Sequence, residues 1–304
     1  MAAPVLVQAF DAGQGQLPES VTTDDDGNFY MSMGSTVTKR TPNGQLSVLA
    51  TPPIPEGAFV TGVKFGPDGF LYAGSGGFAP EPSAAFVWRI DPDDGSIEEF
   101  AALDPLGFPN DLAFNDDGDL FVTDPFLGQI WKIDEDGDAD VWIQHPTLEG
   151  TPDTPVLLIH DFGVDGIAFD KHQENLYIGN LDKGTIVRIP VQCGGHAGQP
   201  KIYAEDDRLA GADGIAFDHD GNLYVAVNWQ DSIAMVDKKG KVSTVATGGV
   251  LDGPSSLVFG TSPQTKKTLY ISSFAINRAL GTQPGAPMPS LSKMSVKTKG
   301  LELY

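Results

Sequence analysis

Glu19, Asn110, Asp165 and Asp213 each stand at the head of a short hydrophobic run, and Thr61 and Ser255 head two more runs of the same kind. All six are hard oxygen donors, and none is His or Cys. Such a set suits a divalent cation, with Ca²⁺ preferred, Mg²⁺ or Mn²⁺ next and Zn²⁺ last. Carboxylates confined together also repel one another, which raises their pKa values and lets one serve as a base near neutrality. These residues lie far apart in the chain, so the chemistry depends on elements that bring them to one place.

Those elements form an internal repeat. Each unit reads as a small or polar residue, a hydrophobic strand, a turn rich in Asp and Gly, then a hydrophobic strand that carries Tyr or Phe. It starts at 19, 61, 110, 165, 213 and 255, with separations of 42, 49, 55, 48 and 42 residues. The copies that run from Asp165 through Tyr177 and from Asp213 through Tyr224 are nearly identical. In the fifth unit, four short strands A to D are expected at Gly214–Asp218, Asn222–Val227, Ser232–Asp237 and Lys241–Ala246. Four strands per unit, repeated six times, predicts an all-β chain: one six-bladed β-propeller domain over residues 1–304, with four antiparallel strands per blade. A β-sandwich would leave six in-phase copies unexplained.

In a propeller the A strands surround the central channel, so the six leading residues converge on its axis. Val5–Phe10 precedes the first A strand as an outer D strand of the last blade. It is expected to pair near Ser292–Val296 and close the ring; Leu301–Tyr304 has no evident place. The D–A and B–C connections share the face on which the six residues lie. Asp124, Asn180 and Asn228, at the ends of B strands, form a second candidate polar layer for substrate, with Phe126 and Trp229 as apolar walls. Thr61, Ser255 and His160 are further candidate substrate contacts. His160 and His145, in the connection 144–163, are the histidines on that face. Long connections at 74–86, 144–163 and 274–289 gather there too, where substrate contacts usually sit.

The chain has 41 acidic and 19 basic residues and a formal charge of −22. That balance argues against nucleic acid and membrane surfaces as partners and leaves a small molecule; oligomeric state is open. The commonest acids are turn residues, and Asp24, Asp68, Asp116 and Asp218 occupy A–B hairpins, where Asp and Gly suit the turn. The run Asp134–Asp138 is not an EF-hand, because its Gly is at position four and His145 is at position twelve. With 36 glycines and 23 prolines, long helices are not expected. Cys193 is the sole cysteine, which excludes an intramolecular disulfide and a thiolate cluster. No signal peptide is visible at the start and no apolar run reaches 18 residues, so the expected location is cytoplasmic, with a secreted mature form also compatible. Nucleophile-elbow, Walker, zincin and dinucleotide motifs are absent.

The repeat, with Glu19, Asn110-Asp111, Asp165-Gly166 and Asp213-Gly214 in register, resembles the senescence-marker-protein/gluconolactonase/luciferin-regenerating-enzyme family over essentially the whole chain. The resemblance implies a six-bladed propeller with one divalent ion, often calcium, in the channel, and hydrolysis of lactones; relatives cleave organophosphate esters. By position, Glu19 and Asp213 would be metal ligands and Asn110 a ligand or a substrate-orienting group. Asp165 departs from the pattern, in which Asn is commoner, and adds a negative charge.

The expected function is therefore metal-dependent hydrolysis of a lactone or related ester. Glu19, Asn110, Asp165 and Asp213 hold the ion, Asp213 activates water, Asn110 orients substrate and Asp165 completes the metal shell. Two alternatives stay open: phosphotriester hydrolysis at the same ion, and a ligand-binding or scaffold propeller whose metal is structural.

Overall fold

The Asp-Gly turns of the repeat are hairpins whose acids satisfy backbone amides. The computed structural model describes residues 3–79, 81–152 and 161–301. Asp218 accepts from the amides of Asp220 and Asn222 at 2.9 Å, and Asp134 accepts from those of Asp136 and Asp138. A carboxylate that closes its own turn is held locally, which accounts for many of the acids without a ligand.

The strands joined by these turns form six four-stranded antiparallel sheets in a ring, a six-bladed β-propeller with almost no helix. The innermost strands are Pro18–Thr23, Phe59–Phe65, Leu112–Phe114, Val164–Phe169, Ala212–Phe217 and Pro254–Phe259. The fifth blade runs on through Leu223–Val227, Ser232–Val236 and Val242–Thr247, within two residues of the sequence expectation. Val5–Ala9 is the outer strand of the sixth blade, and its residues Val5 and Ala9 pair with Lys293 and Ser290 of Ser290–Ser295. The two ends of the chain thus close one sheet, and each covers an edge the other would expose.

One aromatic contact recurs between blades and explains two fixed positions of the repeat. The residue ending the A strand stacks edge-on against the B-strand aromatic of the preceding blade. The pairs are Tyr30–Phe65, Tyr72–Phe114, Phe121–Phe169, Tyr177–Phe217 and Tyr224–Phe259, with ring centroids 5.2, 4.9, 5.2, 5.0 and 5.8 Å apart. Blade one has Thr23 where the others have Phe, and there Phe29 meets Tyr270 instead, at 4.6 Å. Each such pair contributes about 0.5–1.5 kcal/mol beyond the area it buries.

After the last strand the chain crosses beneath blades six and five. The Gly300 amide donates to the Lys266 carbonyl and the Leu301 amide to the Phe217 carbonyl, both at 3.0 Å. Leu301 packs on the fifth-blade core; residues 302–304 lie outside the described residues. Among the described residues no helix is long and apolar enough to cross a membrane.

If the repeated aromatic contact holds the blades together, Phe169→Ala, at a side chain only 1% exposed, will cost about 3–5 kcal/mol of stability. Urea denaturation checks this, and a loss below about 1 kcal/mol would mean that the blades do not rely on the pair.

Candidate active site

The polar residues at the head of each A strand sit at a local break in the sheet. In blades one, two, four, five and six the A–B register slips there: between Pro18 and Val21, Val60 and Val63, Val164 and Ile167, Ala212 and Ile215, and Pro254 and Ser256. Such a β-bulge sets an extra residue against the partner strand and re-aims the side chain it carries. Glu19, Thr61, Asp165, Asp213 and Ser255 are the residues so placed. Blade three does the same work by starting its strand late, at Leu112, just after Asn110-Asp111.

The glycines after Asp165 and Asp213 serve blade packing. A Cβ on Gly166 would lie 2.3 Å from the Asp213 carbonyl oxygen, and one on Gly214 would lie 2.5 Å from that of Ser255. Neighbouring A strands approach so closely here that no side chain fits between them, which brings the ring residues of blades four, five and six together.

The resulting cluster is buried and strongly acidic. Asn110, Asp165 and Asp213 are buried, and Glu19 is partly so. The Asn110 amide donates to Asp165 Oδ1. Asp165 lies close enough to Asp213 for its charge to act on that carboxyl. Asn228 Nδ2 donates to Asp213 Oδ2 at 3.1 Å, and Ser32 Oγ donates to Glu19 Oε2 at 3.3 Å. Burial raises the pKa of all three acids well above the ordinary carboxylate value. The charges of Asp165 and Asp111 add to this at Glu19, that of Asp111 at Asp165, and those of Asp165 and Glu19 at Asp213. Asp111 is the fourth acid. It accepts from the amides of Leu112 and Ile167 and faces Lys64 at 3.6 Å. Lys64 is the one cation that offsets the charge at Glu19.

This donor set fits a hard divalent cation. It offers carboxylate and carboxamide oxygens only, and its excess negative charge is desolvated and largely uncompensated. Among the described residues no three His, Cys, Asp or Glu side chains form a closed ligand cage. The Asn110 amide instead bonds Asp165 Oδ1, a contact that coordination would replace.

Other expected contacts are engaged elsewhere. Thr61 Oγ1 donates to the Pro109 carbonyl at 2.7 Å, and Ser255 Oγ to that of Glu19, so both hydroxyls clasp a neighbouring blade. Asp124 accepts from the amides of Phe108 and Leu127 and from Trp131 Nε1. Asn180 donates to the carbonyls of Thr147 and Glu149. Both are fully buried and hold loops in place. The His145 ring is hydrogen-bonded to Thr147 and Gln199. Trp229 is half-buried in the turn Asn228–Gln230, with its backbone and Cβ against Gly211. His160 lies outside the described residues. Of the second polar layer, Asn228 alone reaches the acids.

Asn277 was not foreseen. Its Nδ2 donates to Asn228 Oδ1 at 2.7 Å, which fixes the amide that holds Asp213. It lies on the four-residue helix Ile276–Ala279, anchored by Arg278 to Asp231 at 2.7 Å and to buried Asp252. Its only signal in the sequence is membership of the long connection 274–289.

The chain matches the profile described as SMP-30/Gluconolactonase/LRE-like region over residues 7–202 and 163–275. It belongs to that family. A gluconolactonase of Zymomonas mobilis is 26% identical over 298 residues, covering 88% of this chain and 78% of the relative. Among solved structures, a calcium-binding regucalcin from Agrobacterium tumefaciens superposes with a TM-score of 0.72 at 15% identity, over 99% of this chain and 95% of its own. A luciferin-regenerating enzyme superposes with a TM-score of 0.71 at 15% identity, over 98% of each chain. At such identities the structural matches speak for the fold alone.

A carboxyl whose folded-state pKa lies above its unfolded value binds its proton more tightly in the fold. Stability therefore falls as pH rises from the ordinary carboxylate range through the raised one. In cation-free buffer, Asp165→Asn is expected to exceed the wild type in stability above pH 7, with the gap closing toward pH 4. Urea midpoints across that range check it; a gap independent of pH would contradict the raised pKa values.

Proposed function

We propose that the chain is a divalent-cation-dependent hydrolase of a lactone or closely related ester, with the bulge carboxylates as its centre. The family and the gluconolactonase relative support the reaction class. The observation that carries the reading is the group of desolvated acids at the A-strand bulges, whose like charges raise one another's pKa.

Glu19, Asn110, Asp165 and Asp213 are the residues to hold the ion, with Ca²⁺ first on donor type. When bound, the cation supplies Lewis acidity at the carbonyl and offsets the charge that builds on its oxygen. Asp213 is the base that takes the proton from attacking water. Asn228 fixes its orientation through Oδ2. Asn277 holds Asn228 in turn and acts as a positioning residue. Asn110 is placed to orient substrate beside Asp165.

The rival reading, an ion that only ties the blades together, draws support from Thr61 and Ser255, which clasp blades beside the acids. Chelation separates the two. The hydrolase loses lactone turnover on EDTA treatment while still folded and regains it on Ca²⁺ addition; a structural ion would move only the thermal midpoint.

Asp213→Ala is expected to lower kcat about a thousandfold with the fold intact by circular dichroism. Full lactonase activity in that variant would overturn the assignment. Asn277→Ala should cost about tenfold in kcat with little change in KM, as a loss confined to the transition state does, and Asn277→Gln should recover part of it. A change confined to KM would instead place Asn277 among the substrate contacts.

A further inference from the structure

The face of the ring that carries the acids is unequal from side to side. Blades five and six bring Asn228 and Asn277 beside separate apolar residues such as Trp229, Leu280 and Met288, whereas blades two to four bring five phenylalanines in mutual contact. Phe59 and Phe108 precede the ring residues Thr61 and Asn110 by two positions, and Phe162 precedes Asp165 by three. Chain geometry holds their Cα atoms within about 7–11 Å of those ring positions. Phe78 and Phe126 come from the B–C connections of blades two and three on the same face.

The five rings form one continuous shelf. Phe78 stands 6.2, 5.7 and 5.8 Å from Phe59, Phe108 and Phe126. Phe162 stands 5.6 and 5.7 Å from Phe108 and Phe126, which are 4.9 Å from each other. Phe108 and Phe162 are buried beneath, and Phe78 is 48% exposed on top.

Charge on this face points the same way. Its D–A and B–C connections contain three basic residues, Lys183, Arg208 and Arg278. Lys183 Nζ donates to the Pro146 carbonyl, Arg208 pairs with Asp206, and Arg278 is held by Asp231 and Asp252. A phosphorylated or carboxylated substrate would meet committed cations and a group of acids.

We infer that the substrate class is a neutral lactone or ester bearing an apolar alkyl or aryl substituent, whose polar ring lies over the acids and whose substituent lies on the phenylalanine shelf. This rests on the hydrolase reading of the site and narrows it. A polyhydroxylated sugar lactone would leave hydroxyls against aromatic faces that cannot hydrogen-bond them, at a cost in desolvation. An apolar substituent instead gains from leaving water, in a site where a few polar groups fix orientation.

The test measures binding apart from turnover. Hydrolysis-resistant 2-alkylcyclopentanones, unsubstituted through hexyl, are titrated calorimetrically into the intact protein with and without Ca²⁺. Affinity should tighten by up to about fourfold per methylene. Phe78→Ala should flatten that dependence and weaken the hexyl compound about tenfold. Val141→Ala, equally exposed on an outer strand, should keep the wild-type dependence. Affinity independent of chain length, or an unchanged dependence in Phe78→Ala, overturns the inference. The matching lactones are then assayed for hydrolysis alongside glucono-1,5-lactone. Graded ketone binding without turnover of any lactone leaves the shelf standing and sinks the hydrolase reading; turnover with flat ketone binding does the reverse.

Discussion

Like charge held out of water is the constraint around which this molecule is arranged. Glu19, Asp111, Asp165 and Asp213 share a channel in which, among the described residues, Lys64 offsets charge at Glu19 and Asp111, and burial with mutual repulsion raises the pKa of Glu19, Asp165 and Asp213. A cluster of this kind is unfavourable unless the scaffold over-determines it. Here the scaffold is a ring closed by its own first strand, locked by a recurring aromatic pair between blades, and drawn tight where Gly166 and Gly214 meet the next blade's backbone. Rigidity of the ring around the acids is what allows them to be kept together.

Much of the fold could be read before any coordinates, because the repeat writes the same physics six times. Blade count, strand number, ring closure and the turn role of acids such as Asp218 all follow from in-phase copies of one pattern. The pattern itself has a cause: Phe at the end of strand A and an aromatic in strand B are the two halves of the contact between blades. The converging acids were legible for the same reason, since equivalent residues in a ring share an axis.

What was hidden depends on detail that periodicity does not encode. A bulge shifts the alternation by one residue, so that Val60 and Val63, Val164 and Ile167, and Ala212 and Ile215 face the same core three positions apart, but a single such slip in a strand of six or seven residues is too short to stand out from the sequence. Thr61 and Ser255 stand at equivalent positions to the acids, yet a hydroxyl is short enough to bond the adjacent backbone and does so. Asp124 and Asn180 look like substrate contacts at strand ends but are spent on loop amides and carbonyls. Asn277 lies in an irregular connection, and only the three-dimensional route through Asn228 ties it to Asp213.

The family and the site therefore support the account at different levels. Membership establishes what the chain is built like; the desolvated acids, the amides that hold them and the phenylalanines beside them carry the reading of what it does. The most direct measurement is calorimetric titration of chelator-treated protein with Ca²⁺, for the wild type and for Glu19→Gln, Asp165→Asn and Asp213→Asn. The account predicts one ion per chain in the wild type and a large loss of affinity in each variant. Binding undiminished in all three, or no ion bound by the wild type at all, would contradict it.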